Sequence, residues 1–222
     1  MNQSDWELFL NSLWPLVHGA ITGTIPLAVV SFAIGLVLAL ALALMRLSRQ
    51  KWLSAIARAY ISIVRGTPLL VQLYVIFYGL PSIGVVIDPW PSAVVAFSVN
   101  VGGYAAEVIR AAILSVPKGQ WEAAYMIGMS HRRALTRIIL PQAARVSVPP
   151  LSNTFISLVK DTSLASLILV TDLFREAQQV AAFSQQFMLL YLEAALVYWV
   201  ICLGLSSVQG SLEKRLDRYV AH

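Results

Sequence analysis

The sequence predicts an all-helical, polytopic membrane protein with five transmembrane helices, its N-terminus outside and its C-terminus inside. Three observations lead there. Of 222 residues, 58% are hydrophobic and only 12% are charged, about half the charge of an ordinary soluble domain. Apolar runs close to the roughly 20 residues a spanning helix needs recur along the chain. Lys and Arg fall on alternate sides of those runs, and basic residues mark the cytoplasmic side. The runs are continuous and lack period-2 alternation, which excludes a membrane β-barrel.

The elements follow in order. The first eighteen residues hold Asp5 and Glu7 and no Lys or Arg. A cleavable signal has a basic n-region, so the first span is expected to remain in the mature protein. Span 1 covers residues 21–45 and ends in GLVLALALALM; Arg46, Arg49, Lys51 and Arg58 follow it. Span 2 covers residues 59–80. Arg65 lies near its inner end and can snorkel. Pro68 is expected to kink or interrupt it, exposing backbone groups that a neighbour or a cavity must satisfy. Residues 81–90 form an outer loop without Lys or Arg.

Span 3 covers residues 91–114. Asn100, Gly103, Tyr104 and Glu107 fall at i, i+3, i+4 and i+7, so one helical face is polar, with Arg110 a turn further inward. An ionisable group within a span must face protein or water. Glu107 and Arg110 therefore read either as a structural pair at i, i+3 or as part of a pathway. Residues 117–137 form a basic inner loop. Span 4 covers residues 138–159, with Pro141 near its start and Pro149 and Pro150 expected to bend it. Asn153, Ser157, Lys160 and Asp161 make a second polar face.

Residues 160–186 contain SLASLILV, too short to cross alone. They read as a re-entrant or interfacial piece, or as an extension of span 4, near the outer face. Span 5 covers residues 187–208 and leads to Lys214, Arg215 and Arg218. Eleven Lys and Arg then lie in the inner segments, against Arg175 alone in the outer ones. Trp14, Trp90 and Trp52 suit interfacial anchoring. Residues 1–222 form a single transmembrane domain. Five spans cannot be divided into two equal inverted halves, so a pathway between two such chains fits better than a self-contained secondary transporter.

Several chemistries are excluded. No G-x-x-x-x-G-K-[ST] phosphate loop, Ser-His pair or HExxH constellation occurs. Cys202 is the one cysteine, which excludes an internal disulfide and a cysteine-based metal site. His18, His131 and His222 are scattered and do not suggest a metal cluster. The net charge of +5 sits between apolar spans, which argues against a nucleic-acid patch.

The inner loop runs on into EAAYMIGMSHRRALTRIILP, residues 122–141. Residues 120–127 suit a short helix, which Pro117 helps to start and Gly128 to end. Trp121, Ala124, Tyr125 and Gly128 share one face, whose small residues let another surface come close. Taken alone, this is equally an amphipathic interfacial helix without a partner. Glu122, Ala123, Ala124, Gly128, Ile138, Leu140 and Pro141 together give E-A-A-x3-G-x9-I-x-L-P. That spacing resembles the coupling loop of ABC-importer permeases. RGTPLLVQ at 65–72, YAAEVIR at 104–110 and LVKDTSL at 158–164 are similar to segments of polar amino-acid permeases of the histidine/glutamine type.

The resemblance implies a permease that moves polar amino acids across the bacterial inner membrane and is not itself an enzyme. It implies two ABC ATPase subunits, which bind ATP and Mg and dock on Glu122, Ala123, Ala124 and Gly128. It also implies a second permease copy or paralogue and a periplasmic or extracellular substrate-binding protein. This chain itself is expected to bind no cofactor and no metal. A zwitterionic substrate needs donors for its carboxylate and acceptors for its ammonium. Gln72, Tyr104, Glu107, Asn153, Ser157 and Asp161 are the candidates for that pathway. The alternative is a stand-alone channel or secondary transporter for small polar solutes, in which the loop would be accidental. An intramembrane enzyme would need a catalytic pair that the spans lack.

Overall fold

The computed structural model describes residues 3–217. Arg218 and His222, named above, lie outside the described residues. Among the described residues the protein is entirely helical, without a strand. The helices are α1 (Gln3–Gly19), α2 (Ile25–Arg46), α3 (Lys51–Gly66), α4 (Leu69–Tyr74), α5 (Pro89–Ser115), α6 (Lys118–Met126), α7 (His131–Ala134), α8 (Leu140–Asp161), α9 (Leu173–Ser184) and α10 (Phe187–Asp217). Single π-helical turns join α1 to α2 and α7 to α8, and a third follows α4.

Among the described residues three helices are long and apolar enough to cross a membrane: Trp6–Arg46, Pro89–Ser115 and Phe187–Arg215. Two bent pairs bring the number to five if each is one span. Lys51–Gly66 and Leu69–Ile83 meet at 105°, and His131–Ile168 and Leu173–Ser184 meet at 50°. The first of these breaks is where Pro68 was expected to interrupt a span. Thr67 and Pro68 are both extended, with φ/ψ of −120°/144° and −64°/138°. Proline biases its predecessor towards extended backbone, and two extended residues turn the chain sharply.

The continuous helix through Trp6–Arg46 has 41 residues. At a rise of about 1.5 Å per residue it is roughly twice as long as the hydrocarbon core is thick. Its first half, α1, packs on α9 and α10 through Leu16, Ala20, Leu173, Ala177, Ala194 and Val197. Residues 160–186, unresolved by sequence reasoning, form a 3-10 segment (Thr162–Ile168) that continues α8, followed by α9. Pro149 and Pro150 are both held within the single helix α8.

Helix α5 is the centre of the molecule, in contact with α2, α3, α4 and α8. Between helices in lipid, close van der Waals packing replaces the hydrophobic drive, and small residues make it possible. A Cβ on Gly35 would stand 2.7 Å from Val101, and one on Gly103 2.7 Å from Val64 Cγ1. The second core forms around Asp172, which is fully buried. Its Oδ1 accepts from Arg175 N at 2.8 Å, capping α9. Tyr198 Oη donates to Oδ2 at 3.2 Å, and Leu173 N donates to Thr24 Oγ1 at 3.2 Å. The buried Asp172 carboxylate thus ties α9 to α10, and the neighbouring Leu173 amide ties α9 to the α1–α2 turn.

Candidate functional site

Two regions carry most of the polar residues singled out above: a cavity beside the α3–α4 break, and the α6 helix with its flanking turns.

The break leaves the last carbonyls of α3 without helical partners. Thr67 Oγ1 donates to Ile63 O at 2.9 Å. Gln72 Nε2 donates to Val64 O at 2.8 Å, Thr67 Oγ1 at 2.9 Å and Thr67 O at 3.2 Å. Asn100 Nδ2 donates to Gln72 Oε1 at 3.2 Å. Gln72 therefore staples the break and ties it to α5.

A cavity of 420 Å³ opens against this staple, between the break, α5 and α8. That volume suits a small-molecule site, for which about 300–1,000 Å³ is usual. Its polar lining is Thr67, Asn100, Tyr104, Asn153, Thr154, Ser157 and Asp161. Four pathway candidates are brought together here: Tyr104, Asn153, Ser157 and Asp161. Tyr104 is 43% exposed, and the Arg65 guanidinium carbon lies 5.4 Å from its ring centroid. Asp161 supplies the one acidic group in the lining.

Gln72 and Glu107 are not among the lining residues. The Gln72 amide is spent on the break, as described. Glu107 accepts from Arg110 at 2.8 and 3.0 Å and from Arg46 Nε at 3.4 Å. It joins α2 to α5 in a partly buried ion triad, so of the two readings open to the i, i+3 spacing the structure forms the pair. Lys160, on the same predicted face as Asp161, lines a different cavity together with residues of α9 and α10. Sequence reasoning did not single out Thr67 or Thr154. Thr67 carried a signal in preceding the helix-breaking Pro68; Thr154 carried none.

The α6 helix begins after Pro117, which is extended at φ −55° and ψ 138°. It ends in a Schellman arrangement: Met129 N donates to Ala124 O at 3.0 Å and Gly128 N to Tyr125 O at 2.9 Å. Gly128 sits at φ +78°, where a side chain would be strained although the surrounding space is open. Ala124 is fully buried and Trp121 packs partly against the main core, so this face turns towards the chain itself. Trp121 stacks on His131 with centroids 5.0 Å apart, and Tyr125 Oη lies 2.8 Å from His131 Nδ1. The opposite side presents Glu122, Ala123, Met126 and Ile127 to the surroundings. Met126 and Ile127 are 87% and 72% exposed, two large apolar side chains on an otherwise polar loop.

Comparison with known proteins adds identity to this geometry. A family model described as binding-protein-dependent transport system inner membrane component matches residues 31–218. The L-cystine transport system permease protein TcyB of Bacillus subtilis (strain 168) is 59% identical over 217 residues, covering 97% of this chain and 93% of that protein. A crystal structure of an amino acid ABC transporter with histidines is 34% identical with a TM-score of 0.89, covering 97% of this chain and 100% of that one. An inward-facing structure of the MetNI methionine ABC transporter shares the fold, with a TM-score of 0.71 at 18% identity over 97% of this chain and 99% of that one.

Proposed function

The chain belongs to the family of binding-protein-dependent transport system inner membrane components, and we propose that it forms the membrane pathway of an L-cystine importer. At the coarser level it is a permease subunit of an amino-acid ABC importer, in a family whose ATP hydrolysis is done by a separate ATPase. The finer reading has five spans, with the N-terminus outside, the C-terminus inside and residues 1–222 as one domain. The membrane is the bacterial inner membrane. Two ABC ATPases, a second permease copy or paralogue and an external substrate-binding protein complete the system. ATP and Mg are bound at the ATPases.

The α6 helix is the coupling helix in this reading. Glu122 and Ala123, with Met126 and Ile127, meet the ATPase; buried Ala124 holds the helix against the chain and Gly128 ends it. The apolar pair would anchor the contact and Glu122 would orient it, since buried apolar anchors dominate binding energy. ATPase closure then moves α6, and the aromatic contact through His131 passes the movement towards α8. The cavity beside the break receives one end of the substrate, with Asp161 towards an ammonium and the Asn100, Asn153, Ser157 and Tyr104 groups towards the carboxylate beside it. Gln72 serves the pathway by holding Asn100, and Glu107 by fixing α2 to α5.

One observation carries the choice of L-cystine, the 59% identity to TcyB over nearly the whole of both chains. The test is uptake of radiolabelled L-cystine by proteoliposomes holding the permease, its ATPase and its binding protein. Uptake that needs ATP and all three components supports the reading. Uptake by the permease alone would point instead to a channel or secondary transporter. ATP-driven uptake of other polar amino acids with no response to L-cystine would remove the substrate assignment.

A further inference from the structure

Helix α3 has three distinct sides. Ala57, Ile61 and Val64 are buried against the bundle. Trp52, Ile56 and Ile63 form an apolar exposed side, at 61%, 54% and 65% exposure. The third side carries Lys51, Arg58 and Arg65 at i, i+7 and i+14, all exposed, with serines and alanines between them. Seven residues are close to two turns, so the three cations stand in one line, about 10 Å apart.

Lipid can cover the apolar side but not Arg65, because a cation in hydrocarbon is costly, and Arg58 and Lys51 continue the same line into the inner segment. The basic side borders a groove of 690 Å³ lined by Lys51, Ser54, Arg58 and Ser62 among others. Neither Lys51 nor Arg58 has an ion-pair partner among the described residues. Arg65 lies over Tyr104, which lines the cavity at the break. Thr67 and Pro68 of that cavity directly follow the line of cations. The polar side of α3 is thus continuous from the cavity to the end of the helix at Lys51.

We propose that this side of α3 is the exit half of the substrate's route, and that Arg65, Arg58 and Lys51 form a ladder that receives substrate carboxylates in turn. The proposal rests on the importer reading above. Three spaced cations lower the energy of an anionic group along the whole path. Each is solvated, so none holds the carboxylate tightly enough to trap it. A basic path also repels free metal cations, which carry no carboxylate, and so limits their leakage.

The test uses the assembled complex in proteoliposomes, with Cys202→Ser as background and Ser62→Cys as reporter. Two methanethiosulfonate reagents of similar size, one sulfonate and one quaternary ammonium, are applied from the side that receives ATP. The ladder predicts that Ser62→Cys reacts at least threefold faster with the sulfonate, and that Arg58→Gln abolishes this preference. It also predicts that Arg58→Gln lowers the amount of substrate moved per ATP, while the loaded binding protein still stimulates hydrolysis. Ile63→Cys, on the apolar side, should react with neither reagent. Protection of Ser62→Cys from both reagents in a transporting complex would overturn the proposal, since lipid or a second copy would then cover this side. An unchanged preference in Arg58→Gln would overturn it too. Loss of ATP-driven uptake in the background complex would instead overturn the importer reading itself.

Discussion

Among single residues, Gln72 and Asp161 show how position decides role. Both were candidates for touching substrate on the strength of being polar, Gln72 within span 2 and Asp161 on a polar face just beyond span 4. Gln72 Nε2 is engaged by three acceptors and Oε1 by Asn100. Gln72→Ala leaves Val64 O unsatisfied, a loss of about 1–3 kcal/mol for a buried group. The expected outcome is a lower unfolding temperature of the purified complex, together with weaker transport. An unchanged unfolding temperature would show that the staple is dispensable. Asp161 makes no comparable local commitment and lines the cavity. A charge-assisted hydrogen bond contributes about 1.5–3 kcal/mol, so Asp161→Asn should lower uptake by about tenfold or more at equal unfolding temperature. The sequence could show that both residues were polar and within helices. It could not show which one the broken backbone would claim, because that depends on carbonyls exposed only by the 105° bend.

Single elements are held by a few close contacts, and these carry their own predictions. Gly103 lets α5 approach α3, where an added Cβ would meet the branched, stiff Val64. Overpacking costs about 1–3 kcal/mol, against about 1 kcal/mol gained from replacing Gly by Ala in a helix. Gly103→Ala should therefore destabilise the complex slightly, read as a small drop in unfolding temperature; a rise would mean that α3 yields freely. Asp172→Ala removes the cap of α9 and the partner of Tyr198. The cap alone contributes about 1 kcal/mol, and limited proteolysis should cut first between α8 and α9. Equal resistance to protease would contradict that anchoring role. Element existence was legible in the apolar runs and in Pro68, and the start and stop of α6 in Pro117 and Gly128. The helical character of residues 160–186 was not legible. Its short apolar stretch lacks span length, and α9 is fixed at its start by contacts distant in sequence, Asp172 with Tyr198 and Leu173 N with Thr24.

For the whole molecule, the central claim is that a membrane pathway and an external motor meet at α6. The E-A-A spacing and the excess of basic residues were legible without coordinates. Which face of α6 is presented was not. Ala124, small enough to invite a partner, is instead buried within the chain, and Met126 and Ile127 are the exposed apolar side chains. Glu122 is exposed, so Glu122→Lys should leave the fold and the membrane insertion intact. The most direct measurement is ATP-driven uptake of L-cystine by proteoliposomes holding permease, ATPase and binding protein, comparing the parent with Glu122→Lys at matched permease content. The account predicts ATP-dependent uptake in the parent and its loss in Glu122→Lys, with the same unfolding temperature for the two permeases. Equal ATP-driven uptake by both, or uptake by the parent without any ATPase, would contradict it.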